Sequence, residues 1–168
     1  MKYNILLFVI ATTLLFSCSS DDGGQTEEPD QNSIVGVWDA VELQIDDQTA
    51  SDDAKNGRDA LNFLTAKDCF IITFTFNQDL TVIAENSVNY LEIGVNSQGT
   101  GIDIPCPTEK DTDTSTYTFD GTELAIVDDQ GMTITTNVTI NGDTMAIDAS
   151  DLDVANFNAS GELIFKRR

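Results

Sequence analysis

A chain of 168 residues with 29 acidic and eight basic side chains carries a formal net charge of −21 and contains no histidine. That charge repels phosphate backbones and excludes nucleic acid as a partner, while the missing imidazole removes every Ser-His-Asp or Cys-His arrangement and the commonest metal ligand. With acids so abundant, a close Asp/Glu pair says nothing about carboxylate catalysis, so the chain reads as non-enzymatic, with no cofactor and no metal.

The chain opens with Lys2 and an apolar run from Ile5 to Phe16. A run of that length is a secretory signal, since a membrane span needs roughly 20 apolar residues. Leu15-Phe16-Ser17-Cys18 resembles the lipobox of bacterial lipoproteins, in which the cysteine is acylated and becomes the first mature residue. The resemblance implies a signal peptide over 1–17 and lipidation of Cys18. Two or three acyl chains, at about 0.8 kcal/mol per buried methylene, then hold the protein stably at a membrane. Ser19-Ser20-Asp21-Asp22 is similar to the acidic export signal of surface lipoproteins of Bacteroidota. It implies an outer-membrane anchor facing the cell exterior, with the periplasmic leaflet as the alternative. Residues 18–32 lack large apolar side chains after Cys18 and read as a solvated acidic tether, spanning on the order of 20 Å.

Residues 33–168 suffice for one domain with a core. Val37 to Ile45 reads as the first strand. From Ser51 to Lys67 alternation is lost, and Ser51 or Asp52 is placed to cap a short helix with Ala54, Leu61 and Leu64 on one side. Phe70, Ile72, Phe74 and Phe76 alternate after Cys69, and Asn77-Gln78-Asp79 turns the chain into Leu80 to Ile83. Val88 to Val95 is a further strand candidate, residues 96–114 read as irregular, and Ser115 to Phe119 and Glu123 to Val127 come next. Met132, Ile134, Val138 and Ile140 line one face of the next strand, and Asn141-Gly142 gives a type I′ hairpin turn into Thr144 to Ile147. Glu162 to Arg167 closes the series.

Eight or nine short strands joined mainly by tight turns predict an all-β, antiparallel barrel with a short helix or lid after the first strand; a β-sandwich is the alternative. Cys69 and Cys106 are an even pair in an exported domain, read as a disulfide closing a loop of about 37 residues and contributing roughly 3 to 4 kcal/mol. The alternative is two free buried thiols.

Gly36-Val37-Trp38, Phe74-Thr75-Phe76-Asn77-Gln78-Asp79-Leu80-Thr81-Val82 and Leu163-Ile164-Phe165-Lys166-Arg167 together resemble the lipocalin-like lipoproteins of Bacteroidota. The resemblance covers residues 33–168 and implies an eight-stranded, calycin-like barrel whose tryptophan closes the narrow end. Leu80 stands where the family's turn commonly carries glycine. Leu163, Phe165 and Arg167 share parity on the last strand, so with Leu163 and Phe165 facing the core Arg167 points to the barrel's end and can stack on Trp38 as a structural plug, a contact worth about 0.5 to 2 kcal/mol; the alternative is an ordinary core Trp38 and a solvated Arg167.

A barrel of eight strands is either filled by side chains or holds one small ligand. Candidate lining residues are Val41, Leu43, Phe74, Phe76, Tyr90, Tyr117, Phe119, Ile134 and Met145, with residues 51–67 as a lid; each also reads as ordinary core. Asp143-Thr144-Met145 resembles the O-glycosylation acceptor of exported Bacteroidota proteins, which makes Thr144 a candidate site. Asp111-Thr112-Asp113 and Asp151-Leu152-Asp153 lack the glycine and distal glutamate of a calcium loop and read as solvated turns. The functional expectation is a lipid-anchored barrel that binds a small apolar or amphipathic ligand. Its alternative is a structural or interaction module presenting loops to an envelope protein or glycan.

Overall fold

A computed structural model describes residues 34–95, 97–99, 102–128, 130–152 and 161–168. The signal peptide expected over 1–17, Cys18 and the tether to residue 32 lie outside the described residues. Strand β1 (Gly36–Gln44) leads into helix α1 (Asp52–Thr65), and then into β2 (Ile72–Phe76) and β3 (Thr81–Asn86). Two short strands, β4 (Gly94–Val95) and β5 (Ile102–Asp103), precede β6 (Asp111–Phe119), β7 (Glu123–Val127), β8 (Thr133–Asn141), β9 (Thr144–Asp148) and β10 (Glu162–Arg167).

Eight of these strands form a closed antiparallel barrel in the order β1-β10-β9-β8-β7-β6-β3-β2, and β4 pairs only with β5. The pairing of β1 with β10, Trp38 opposite Arg167 and Gln44 opposite Glu162, seals the sheet and rules out the sandwich alternative. Closure leaves no free edge in the barrel.

Connection lengths make the two ends of the barrel different. At one end the chain turns tightly through 77–80, 120–122 and 142–143, and there Trp38 and Arg167 meet. At the other end lie all the long connections, including α1 and the excursion that carries β4 and β5. Ser51 caps α1, its hydroxyl accepting from the Ala54 amide at 3.1 Å, and Leu61 and Leu64 are fully buried in the same continuous core as the barrel.

Several expectations need correction. Val88 to Val95 is not one strand: the Asn86 carboxamide accepts from the Val88 amide at 2.9 Å, the chain winds into a 3-10 turn over Val88–Tyr90, and only Gly94–Val95 is strand, as β4. Residues 111–114, read as irregular, are the first half of β6, whose Asp-Thr-Asp-Thr sequence carries no apolar signal of strand. Met132 precedes β8 and is 65 % exposed, whereas Thr136 shares the inward row with Val138 and is buried. Leu80 completes the 77–80 turn at φ 64, with Asn77 N–H donating to the Thr81 carbonyl at 2.8 Å. The turn is therefore as tight as a glycine turn, at the cost of a left-handed leucine.

Cys69 and Cys106 form a disulfide with Cα atoms 5.9 Å apart. It ties the segment before β2 to the loop after β5, on the side of the long connections.

Candidate functional site

The tight-turn end is filled. Trp38 is fully buried and its indole N–H donates to the Ile34 carbonyl at 2.7 Å. Arg167 lies over it, Cζ 4.1 Å from the ring centroid, while its guanidinium donates to the Val35 carbonyl and stands 3.6 Å from Asp143. Gly36 makes room for this arrangement: its φ of +139° lies in glycine territory, and a Cβ there would sit 3.1 Å from a guanidinium nitrogen of Arg167. Behind the pair, Phe76 meets Tyr117 edge-on at 5.0 Å and Phe74 meets Phe165 at 5.4 Å, with Phe119 and Met145 buried alongside. The Tyr117 hydroxyl donates to the Asn77 carbonyl at 2.9 Å, and burial pushes its phenol above the ordinary value, with Asp79 adding to the effect.

Of the residues expected to line a cavity, the structure therefore packs Leu43, Phe74, Phe76, Tyr117, Phe119 and Met145 into the core. Val41 does not belong with them. Ala40 pairs with Phe165 and Glu42 with Ile164, so Val41 is the extra residue of a β-bulge and is left half-buried, outside the inward row. The bulge also explains how Trp38 and Leu43, of opposite parity, both face inward. Tyr90 stands on the 3-10 turn outside the barrel, where its hydroxyl donates to Asp111 at 2.7 Å. That bond and one from Asn89 hold the Asp111 carboxyl below its usual range. Tyr90 walls an open, polar surface groove of about 490 Å³ beside the disulfide, together with Pro105, Pro107 and Glu109.

Ile134 does stand at a cavity. At the long-connection end the barrel holds a depression of about 220 Å³ walled by Ile72, Phe74, Ala84, Ile126, Ile134 and Leu152, with Glu85, Asn86, Asp113 and Asp151 completing it. This mouth exists because the inward row changes character along β6. Tyr117 and Phe119 fill the barrel near the tight turns, but Ser115 and Asp113, on the same parity, are too short or too polar to fill it further out. Thr136, buried on the inward face of β8, donates to Asp151 at 2.7 Å. Glu85 pairs with Lys110. No cation pairs with Asp113 or Asp151 among the described residues.

Helix α1 lines no part of the mouth. Its Asp53, Asn56, Gly57 and Ala60 form instead, with Val88, Leu91 and Ile93, a groove of about 280 Å³ on the flank. Beside that groove β4 and β5 carry Val95 and Ile102, which with Ile93 are 65 to 70 % exposed. Thr144 lies just after the 142–143 turn, half-buried, its hydroxyl accepting from Lys166.

Two features gave no signal in the sequence. Asp39 occupies an outward position yet is 3 % exposed; it accepts from Thr73 at 2.8 Å and from two nitrogens of Arg168 at 2.6 and 2.9 Å. The carboxylates at the mouth come from β3, from a strand half read as loop, and from the short turn after β9. Of the walls, the sequence pointed to Ile72 and Phe74 through their alternation and to Ile134 through the apolar face of its strand. Among the described residues, no cluster of three or more Cys, Asp or Glu is placed to hold a metal ion.

A closed, eight-stranded, antiparallel barrel with one helix after its first strand is consistent with a calycin-like fold. Compared with protein-family models, curated proteins and solved structures, the chain matches none.

Proposed function

We propose that this protein is a membrane-tethered, non-catalytic binding barrel, anchored through acylated Cys18 at the outer membrane and facing the cell exterior, whose mouth takes one small apolar or amphipathic molecule. The observation that carries the reading is the depression of about 220 Å³, apolar in its walls and polar at its rim, in the mouth of a barrel otherwise filled by aromatic side chains. Ligand sites of drug size run from about 300 to 1,000 Å³, and a cavity of about 150 Å³ accepts benzene. The mouth therefore suits a single ring, a short chain or the end group of a longer molecule. The non-catalytic reading rests on the chain's lack of histidine.

The test is native mass spectrometry of the protein purified from a bacterial periplasm, before and after solvent extraction. A co-purified mass that leaves on extraction, and fails to bind when Ile134→Trp fills the mouth, supports the reading. A mass unaffected by that substitution overturns it. Anchoring is tested separately: Cys18→Ser should release the protein from the membrane fraction, and protease added to intact cells should digest the wild type if it faces outward.

A second reading is favoured by Ile93, Val95 and Ile102, an exposed apolar cluster beside the α1 groove. There the barrel is a scaffold and the β4-β5 arm meets an envelope protein or glycan. This reading expects a ligand-free mass and a cross-linked partner lost in Val95→Asp. Thr144 is the proposed O-glycosylation site, and a glycan mass lost in Thr144→Ala is the expected outcome.

A further inference from the structure

We infer that the barrel mouth selects a small hydrophobic cation, an amine carrying one ring or a short alkyl tail, over neutral and anionic molecules of the same shape. The inference rests on the mouth being a ligand site and adds the charge of its occupant. The mouth is first an apolar cavity: Ile72, Phe74, Ala84, Ile126, Ile134 and Leu152 remove a tail from water. Its charged groups are of one sign. Glu85, Asp113 and Asp151 border it, and among the described residues only Glu85 has a cationic partner, Lys110.

The chain's other cations in the described region are placed elsewhere or stand on α1. Arg58 is held by Asp47 and Asp59, Lys67 lies over Phe63, Lys166 bonds Thr144, Arg167 covers Trp38 and Arg168 clamps Asp39. Asp113 is exposed and unpaired among the described residues, and Asp151 accepts only the neutral Thr136 hydroxyl. A ligand whose tail enters the cavity leaves its head at this wet rim. An ammonium there keeps its hydration and gains two carboxylates, whereas a carboxylate head meets like charge from the rim and from a chain of net charge −21. Because the rim is exposed, the preference is modest and screened by salt.

The experiment is calorimetric titration of the purified protein with three probes of similar shape: phenethylamine, phenethyl alcohol and phenylpropionate. At low salt the amine should bind about tenfold tighter than the alcohol, with phenylpropionate weakest, and the gap should shrink to about twofold near 0.5 M salt. Asp113→Asn combined with Asp151→Asn, in which the asparagine oxygen still accepts from Thr136, should equalise amine and alcohol while leaving alcohol binding unchanged. Asp113→Asn alone alters an exposed side chain and should give about a threefold loss for the amine only. Equal affinities of amine and alcohol in the wild type, or a preference that survives the double substitution, overturn the inference and leave the ligand site standing. If none of the probes binds, the ligand site and its charge preference fall together.

Discussion

The two ends of this barrel are made from the same eight strands and differ in the length of the connections between them. Where turns of two to four residues join the strands, aromatic side chains from β2, β6 and β10 interlock and Arg167 seals Trp38 from solvent. Where long segments join them, the inward positions hold Ser115, Asp113, Asn86 and a 46 % exposed Ile134. Short turns draw strand ends together and favour a packed plug; long connections release the same positions to become a mouth. The packed plug and the proposed ligand mouth thereby lie at opposite ends of one sheet, and substitutions can test that division.

The largest effect should come from the plug. Trp38→Ala is expected to cost about 3 to 5 kcal/mol, against less than about 0.5 kcal/mol for Ile134→Ala, as read from urea denaturation midpoints. Comparable losses for the two would show that the ends are not divided in this way. Next is the bond that holds the long connections: replacing Cys69 and Cys106 by serine should lower stability by about 3 to 4 kcal/mol, measured under non-reducing conditions. Arg167→Ala should cost about 1 to 2 kcal/mol, because it removes the stacked cation and also the donor to the half-buried Val35 carbonyl.

Leu80→Gly should act in the opposite direction. It relieves a left-handed leucine at φ 64 whose side chain is 39 % exposed, and a gain of about 1 kcal/mol is expected, seen as a melting temperature a few degrees higher. A loss would mean that Leu80's packing outweighs its backbone strain.

The smallest effect concerns pH and touches both ends. Hydrogen bonds from Thr81 to Asp79, from the Glu123 and Thr122 amides to Asp120, and from Ser150 to Asp148 hold these carboxyls below the ordinary value. A depressed folded value means stability that is present above the unfolded value and lost as pH falls through the folded one, so these turns weaken below about pH 4. Relief of negative self-repulsion acts the other way above that point. The melting temperature should therefore rise from pH 7 toward about pH 4.5 and fall below about pH 4, whereas a monotonic rise to about pH 2 would show that these turn carboxylates add no stability.

Much of the plug was legible in the sequence, because a strand facing a core writes its parity in apolar residues. Phe74 and Phe76, Leu163 and Phe165, and Asn141-Gly142 each reported their own geometry. Val41 was misplaced because a bulge is a count of residues between two partners, and only the partner strand reveals it. Tyr90 and the first half of β6 were misread for a related reason. An Asx-type bond from Asn86 diverts one segment from the strand its apolar residues advertise, and pairing with β3 imposes strand on Asp111 to Thr114, which advertise none. The mouth was the least legible part. Its walls come from five separate elements, and its carboxylates look in sequence like any others among 29.

The seam between β1 and β10 sets an order of events. Asp39 and Arg168, which clamp across it, are 129 residues apart in sequence. As the chain is made, the strand pairs that do not involve β10 can form while it is still emerging, yet β1 must wait with one edge bare until β10 arrives. For that interval the protein is an open, curved sheet with its Phe74, Phe76 and Trp38 face uncovered, so its hazard is sticking to a neighbour before the ring is shut. The late Arg168 to Asp39 clamp marks the moment at which that hazard ends.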